Sequence, residues 1–200
     1  MKSERFIYLA SGSPRRRELL KQIGVSFRVI GSDLDETALQ GESPLAYVSR
    51  LAQAKAAVGW ERSRDLSLAP VLAADTAVVL DGRILGKPAG VDDAMAMLLE
   101  LSGRTHEVLT AVALRGSSGI EGKISRSTVT FRSIDPSEAR AYWKTGEPSD
   151  KAGAYAIQGY AAVFISDLQG SYSGVMGLPL FETAALLEAA RVTCWHRNEH

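Results

Sequence analysis

The middle of the chain runs Val71-Leu72-Ala73-Ala74-Asp75-Thr76-Ala77-Val78-Val79-Leu80, an almost continuous apolar segment. Such a segment is typical of a strand that is covered on both faces of a sheet. The Asp81-Gly82 pair that follows predicts a tight hairpin, which returns through Arg83-Ile84-Leu85. We therefore expect a buried central strand, with the rest of the chain covering the sheet around it.

Helical and strand patterns lie on both sides of this segment. Upstream, the expected elements are a strand at 6–10, a helix from 14 to a stop at Gly24, a strand at 27–30 and a helix at 44–61. Downstream, they are a helix at 92–101, strands at 107–114 and 123–132, a helix at 136–144, a strand at 163–166 and a helix at 179–190. Parallel-type and hairpin strands among helices indicate an α/β or α+β sheet protein. Residues 191–200 are expected to form a frayed tail.

Composition sets limits on the class of protein. The 200 residues are 46% hydrophobic, which suits one domain with a sizeable core. Lys plus Arg number 23 and so do Asp plus Glu, so no overall charge favours nucleic acid or an anionic membrane. The first residues are too short and polar for a signal peptide, and no apolar run could span a membrane. With Cys194 as the only cysteine, a reducing, cytoplasmic location is expected.

The turn Ser11-Gly12-Ser13-Pro14-Arg15-Arg16-Arg17 places cations where a helix begins. Ser13 suits the N-cap and Pro14 the first helical position. Cations in the first turn face the positive end of the helix dipole, at a cost of about 0.3–1 kcal/mol each. The pattern makes sense if an anion such as phosphate binds there. The alternative is a solvated basic turn.

Lys55 and Asp75 each break the pattern around them. Lys55 falls on the apolar stripe of the helix at 44–61, so it either extends to solvent or meets an anion. Asp75 interrupts a buried strand, where an unpaired carboxylate would be costly. It is either a structural aspartate bonded to backbone or a functional group beside a cation or metal.

Two further charged residues are less distinctive. Glu36 closes an acidic run that lacks the spacing of a calcium loop, and it is either a solvated residue or a carboxylate for nucleotide-bound Mg²⁺. Lys87 lies in a stiff turn between Gly86 and Pro88, with only a weak likeness to phosphate loops.

The loop Asp150-Lys151-Ala152-Gly153-Ala154-Tyr155-Ala156-Ile157-Gln158-Gly159 combines glycines, an aromatic ring and a carboxamide. The Gln158 amide could pair with the O4 and N3–H edge of uracil or thymine, or with adenine. The alternative is an ordinary glycine-rich connector. His106, His196 and His200 form no cluster in sequence, and a structural role is the simplest interpretation.

Six segments together resemble the Maf family in the right order, from about residue 7 to 190. They are residues 9–16, the Asp35-Glu36 pair, Lys55, Ala74-Asp75-Thr76, Lys87-Pro88 and residues 150–159; the Gly177-Leu178-Pro179 turn fits as well. One departure is Gly86, since some relatives carry an acidic residue there.

The resemblance implies a nucleoside triphosphate pyrophosphatase that cleans the nucleotide pool, in which water attacks the α-phosphorus. It implies a two-lobed mixed sheet flanked by helices, like that of inosine triphosphatase, with a central cleft in one catalytic domain at 1–190. It also implies a divalent cation, Mg²⁺ or Mn²⁺, and a homodimer. The alternative in this family is a non-catalytic, nucleotide-sensing inhibitor of septum formation and cell division.

The same resemblance assigns expected roles. Asp75 would activate the attacking water, either directly as a general base or through the metal, with Glu36 and Asp75 as the acidic metal ligands. Arg16, Thr76 and Gln158 match the positions that mark the dTTP and UTP branch. The phosphates would be bound by Arg15, Lys55, Lys87 and the backbone from Ser11 to Ser13.

Overall fold

A computed structural model describes residues 6–195 of the chain. The strands are β1 (Ile7–Leu9), β2 (Phe27–Val29), β3 (Val71–Leu80), β4 (Arg83–Leu85), β5 (Thr105–Gly116), β6 (Gly119–Phe131) and β7 (Ile165–Gln169). The helices are α1 (Pro14–Gln22), α2 (Pro44–Arg62), α3 (Val91–Leu101), α4 (Pro136–Trp143), α5 (Tyr172–Met176) and α6 (Leu180–Ala189). Short 3₁₀ turns cover Glu147–Asp150, Ala152–Ala154 and Tyr160–Phe164. None of the helices in this part of the chain is long and apolar enough to cross a membrane.

All seven strands belong to one mixed sheet in the order β2-β1-β3-β5-β6-β7, with β4 also paired to β3. β1 runs parallel to β2 and β3, and the other pairings are antiparallel. The predicted α/β class, a mixed sheet flanked by helices, is therefore confirmed.

The sheet is interrupted along one edge of β3. β1 pairs with β3 only at Val71 and Leu72, and β4 pairs with it only from Val78 to Leu80. On the other edge, β5 pairs with β3 continuously from Val71 to Val79. Residues 73–77 therefore face a gap between β1 and β4, and this gap opens the sheet.

The two faces of β3 are covered by different groups of residues, as the apolar pattern predicts. Ala73 and Ala77 pack in a core with Val48 and Ala52 of α2. Leu72 and Ala74 pack on the opposite face with α1 and α6, and Val78 packs there with α3 and α4. A helix on one face and several on the other bury every residue of the strand except Thr76, which is half-buried.

Local signals predict most element boundaries correctly. The hairpin forms with φ of 50° at Asp81 and 77° at Gly82, the left-handed pair that a tight two-residue turn needs. Ser13 occupies the N-cap of α1 by position, but its side chain makes no capping bond.

The strands predicted at 107–114 and 123–132 are longer in the structure, at Thr105–Gly116 and Gly119–Phe131, and three other expectations differ from it. The last strand covers Ile165–Gln169 rather than 163–166, because the chain forms a 3₁₀ turn up to Phe164. Helix α5 is not predicted, since five residues are too few to show a helical period. The expected frayed tail is wrong for residues 191–195, because Val192 is buried and the Trp195 N–H donates to the Ile23 carbonyl at 2.7 Å. His196 and His200 lie outside the described residues.

Candidate active site

A cleft of about 720 Å³ opens at the gap beside β3. It is lined by the turn before α1, the loop after β2, the middle of β3, the turn after β4 and the loop before β7. Every site residue predicted from the sequence lines it: Ser11, Ser13, Arg15, Arg16, Glu36, Lys55, Asp75, Thr76, Lys87 and Gln158. Its size suits a small-molecule ligand.

Ser11 lies where β1 gives way to α1, and its hydroxyl is held from two sides. Its Oγ accepts from the Ser13 N–H at 3.2 Å and from Arg16 Nη1 at 3.1 Å. Both lone pairs are then occupied, so the hydroxyl proton of Ser11 remains to donate. Arg15, the next cation of the turn, is half-buried at the cleft wall. The turn thus offers a donor and a cation to an anion.

Lys55 of α2 joins the two carboxylates of the cleft. Its Nζ lies 2.6 Å from Asp75 Oδ1 and 2.6 Å from Glu36 Oε1. Lys55 is only 8% exposed and Asp75 only 6%, whereas Glu36 is exposed. The lysine on the apolar stripe therefore meets anions of the protein itself, and the buried aspartate has its cation.

The pKa values of these carboxyls shift in opposite directions. Burial raises the pKa of Asp75 above its ordinary value, although the charge of Lys55 opposes the shift. Burial also acts against ionisation of Glu36, but the hydrogen bond and charge of Lys55, together with the charges of Lys87 and Arg16, outweigh it and lower the pKa. Asp75 is thus the more basic carboxylate of the pair.

The same carboxylates are the candidate cation ligands. Between residues 6 and 195, no group of three or more His, Cys, Asp or Glu side chains is placed to hold a metal ion. Glu36 and Asp75 nevertheless converge on one point, the Lys55 ammonium. Mg²⁺ commonly takes one or two carboxylates together with phosphate oxygens of a substrate. The pair therefore fits a cation that binds along with a phosphorylated ligand.

Thr76 and Arg16 form a hydrogen-bond network on the opposite face of β3 from Asp75. Arg16 donates from Nη2 to Thr76 Oγ1 at 3.4 Å and from Nε to the Gly177 carbonyl at 2.7 Å. Thr110 of β5 pairs with Thr76 in the sheet, and their hydroxyl oxygens lie 3.0 Å apart. The predicted specificity residues Arg16 and Thr76 are therefore in contact.

Gln158 is exposed in the cleft, while the segment that carries it is anchored in the core. On its N-terminal side, Tyr155 is buried and its Oη lies 2.8 Å from His106 Nε2. Burial lowers the pKa of His106 to about 4, so its imidazole is neutral, in agreement with a structural role.

Tyr142 and Glu147 hold the segment on both sides of Gln158. Tyr142 Oη accepts from the Ala156 N–H at 3.2 Å and donates to Glu147 Oε1 at 2.7 Å. Glu147 Oε2 in turn accepts from the Tyr160 N–H at 3.1 Å. The loop is therefore not an ordinary flexible connector.

Lys87 is exposed at the rim of the cleft, in the turn after β4. Gly86, which precedes Lys87 in this turn, accepts a hydrogen bond at its carbonyl from the Gly153 N–H at 3.0 Å. This bond connects the turn to the loop that carries Gln158. Gly153 has φ of 66°, and a Cβ there would lie 2.9 Å from Val78 Cγ1. A glycine is required for the loop to approach β3 so closely.

Sequence reasoning missed Thr110, Tyr142 and Glu147. Thr110 carried a usable signal, because it is a polar residue inside an apolar strand, as Asp75 is. The other two act through contacts between segments that are distant in sequence, and no local pattern marks them.

Comparison with known proteins identifies a family for this chain. The profile of the family described as Maf-like protein matches residues 6–190. A protein of Nitrosomonas europaea named dTTP/UTP pyrophosphatase is 54% identical over 197 residues, covering 94% of this chain and 95% of that protein. A protein of Aromatoleum aromaticum with the same name is 55% identical over 194 residues, covering 92% of this chain and 94% of that protein.

Among solved structures, a nucleoside-triphosphatase / dITP/XTP pyrophosphatase of Mycobacterium abscessus aligns over 93% of this chain and 95% of its own. It is 16% identical with a TM-score of 0.41, a likeness too weak to carry an argument. The sequence matches, in contrast, extend over nearly the whole described chain at more than half identity. The chain therefore belongs to the Maf family.

Proposed function

We propose that this protein hydrolyses dTTP and UTP to the nucleoside monophosphate and pyrophosphate. The observation that carries the proposal is one cleft that combines a buried carboxylate on β3, a serine and arginine turn, and an exposed carboxamide. The relatives that share more than half of the sequence are named for this activity.

The turn before α1 would bind the triphosphate. The Ser11 hydroxyl has its proton left to donate, and the start of α1 adds the positive end of a helix dipole. Arg15 and Lys87 lie at the cleft wall and rim, where they would neutralise phosphate oxygens. Lys55 is near enough to the carboxylates to lower the repulsion that an incoming triphosphate would meet.

Asp75 would act as the general base. The oxygen of a water molecule bonds to the α-phosphorus, its proton moves to the Asp75 carboxylate, and the bond from the α-phosphorus to the bridging oxygen breaks, releasing pyrophosphate. Burial raises the pKa of Asp75, which makes it a stronger base than an exposed aspartate. Its hydrogen bond to Lys55 fixes the orientation of the carboxylate.

Glu36 and Asp75 would hold a divalent cation, Mg²⁺ or Mn²⁺, brought in with the nucleotide. Such a cation supplies neutralisation of the charge that develops on the phosphate oxygens. Exposed Glu36 can turn toward a ligand, whereas buried Asp75 is fixed by Lys55.

The nucleobase of the substrate would lie between Gln158 and Thr76. Gln158 is exposed on an anchored segment, so its amide can pair with a base edge. Arg16 already donates hydrogen bonds to Ser11, Thr76 and Gly177, so it would act by positioning these groups as much as by contacting the substrate.

A homodimer and a cytoplasmic location stay predictions from the sequence.

A nucleotide panel tests the proposal. With Mg²⁺ present, dTTP and UTP should give monophosphate and pyrophosphate, and the other common triphosphates should react more slowly. Products separated by anion-exchange chromatography decide the point of attack: diphosphate and inorganic phosphate would contradict attack at the α-phosphorus. In the Gln158→Ala variant the preference among bases should weaken; an unchanged profile would remove Gln158 from base recognition.

A further inference from the structure

Thr110 lies directly behind Thr76 and does not line the cleft. It is 1% exposed, and its Oγ1 lies 2.7 Å from the Gly174 carbonyl oxygen and 3.0 Å from Thr76 Oγ1. Gly174 belongs to α5, so the threonine joins β5, β3 and this helix. The assigned catalytic and phosphate-binding roles make no use of it.

Proton counting at Thr110 decides the direction of these bonds. A threonine hydroxyl has one proton and two lone pairs, and a carbonyl oxygen can only accept. The short contact to Gly174 therefore uses the Thr110 proton. The bond between the two threonines must then run the other way, with the Thr76 hydroxyl donating to Thr110 Oγ1.

From this we infer that Thr110 is a positioning residue that makes Thr76 a pure hydrogen-bond acceptor toward the cleft. One lone pair of Thr76 Oγ1 accepts from Arg16 Nη2, and the other remains for a ligand. The ligand group that fits beside Thr76 is consequently an N–H donor.

Arg16 completes the pattern next to this acceptor. Its guanidinium has five N–H groups, and three are directed to Gly177, Ser11 and Thr76. The nitrogen that contacts Thr76 carries a second proton, and both Arg16 and Thr76 line the cleft. We take this proton as the donor that the cleft wall presents beside the Thr76 acceptor.

The donor on Arg16 and the adjacent acceptor on Thr76 match the C=O and N3–H of uracil and thymine. They do not match the corresponding groups of cytosine. Uracil and thymine carry a C=O beside the N3–H, so both groups find a partner. Cytosine carries an amine beside an unprotonated N3, so donor would face donor and acceptor would face acceptor. Such a mismatch leaves the polar groups of the base and of the cleft wall unpaired and therefore discriminates against cytosine. The inference rests on the proposed function only for the statement that a pyrimidine base occupies this wall.

The test compares Thr110→Val with Thr110→Ser. Valine has nearly the same shape but no hydroxyl, so the Thr76 proton becomes free to turn toward the cleft. We expect the ratio of kcat/KM for UTP over CTP to fall at least about tenfold, mainly because CTP improves. Serine keeps the hydroxyl, and its ratio should stay within about twofold of wild type.

A third substrate separates a change of hydrogen-bond direction from a loosened site. N3-methyl-UTP offers neither a proton nor a lone pair at N3, so Thr110→Val should not improve its hydrolysis. Equal gains for CTP and N3-methyl-UTP would mean a looser cleft and would overturn the inference. An unchanged UTP:CTP ratio in Thr110→Val would overturn it as well.

Two further measurements separate a failure of folding from a failure of the inference. Urea unfolding of both variants shows whether Thr110→Val remains folded. Calorimetric binding of UMP and CMP to the wild-type protein tests the preference for uracil over cytosine, and it depends neither on turnover nor on a variant. Wild-type protein that hydrolyses no pyrimidine triphosphate contradicts the proposed function. Equal affinity for UMP and CMP contradicts the role of Thr110.

Discussion

Asp75 and Thr76 are neighbours on β3, yet they belong to two different regions of the site. Asp75 faces α2 and is bonded to the Lys55 ammonium at 2.6 Å. Thr76 faces α1 and α5 and is bonded to Arg16 and to the uncharged Thr110. One region is built around buried charges and the other around directed hydroxyl groups.

Successive residues of a strand point to opposite faces and would normally be separated by the sheet. Here both reach the same cleft, because β3 lacks a partner on one edge at residues 73–77. With the proposed roles, the gap would let one strand supply the general base from one face and a hydrogen-bond acceptor for the nucleobase from the other. The two functions should therefore be separable by mutation.

The largest effect is expected for Asp75→Asn. Asparagine keeps the size of the side chain but cannot take a proton, so kcat/KM should fall by about 10²–10⁴. Because the change lies on the charged side, the loss should be the same for every nucleotide. Steady-state rates for dTTP, UTP and CTP measure both quantities.

Thr76→Val is the matched change on the other side of the strand. It should alter the ratio among bases and reduce turnover of the best substrate by less than Asp75→Asn does. If Asp75→Asn altered the base ratio more than Thr76→Val, the proposed separation of the two faces would be wrong.

His106 and Asp75 predict opposite effects of pH on folding stability. Burial lowers the pKa of His106 to about 4, so its contribution is complete above its ordinary pKa of 6.5 and is lost as pH falls toward 4. Burial raises the pKa of Asp75, so its contribution is complete below its ordinary pKa of 3.8 and is lost as pH rises through the raised pKa.

Acidification should therefore act on stability mainly through His106. Between pH 7 and pH 4.5 the wild type should lose about 2 kcal/mol of its free energy of unfolding because the unfolded imidazole takes up a proton. His106→Gln keeps a polar partner for Tyr155 but does not titrate, so it should lack this loss. Urea unfolding at the two pH values measures it, and equal losses in both proteins would show that His106 is not the cause.

The sequence predicts more of the region around Asp75 and Lys55 than of the region around Thr76 and Thr110. The run at Val71–Leu80 and its hairpin use signals only a few residues long, so the central strand and its turn are predicted correctly. Lys55 is placed on the buried face of α2 by the helical period. The helical period does not predict that Lys55 contacts Asp75 and Glu36, because the distance between α2 and β3 depends on packing and not on any local pattern.

The hydroxyl region around Thr76 and Thr110 is harder to predict. Thr110 is opposite Thr76 only because of the register between β5 and β3, which a single strand does not reveal. Tyr142 and Glu147 reach the Gln158 segment through turns whose conformation depends on tertiary contacts. The resemblance to a family supplies the expected site residues, but the hydrogen bonds that hold and orient them are visible only in the structure.

The smallest effect is expected for Tyr142→Phe, which tests whether the Gln158 segment belongs with the hydroxyl region around Thr76. The change removes the acceptor of the Ala156 N–H and the donor to Glu147, at a cost of about 1–2 kcal/mol in unfolding free energy. A loosened Gln158 should lower the preference for UTP over CTP a few-fold and leave kcat for UTP nearly unchanged.

Tyr160→Phe is the control, since that ring is exposed and only its backbone N–H reaches Glu147. The control should keep both stability and base preference. A fall in kcat with an unchanged base ratio in Tyr142→Phe would instead assign the segment to the charged side. The Gln158 segment would then hold the phosphates or the Asp75 region in place, because a segment that positions only the nucleobase should not affect the rate of proton transfer.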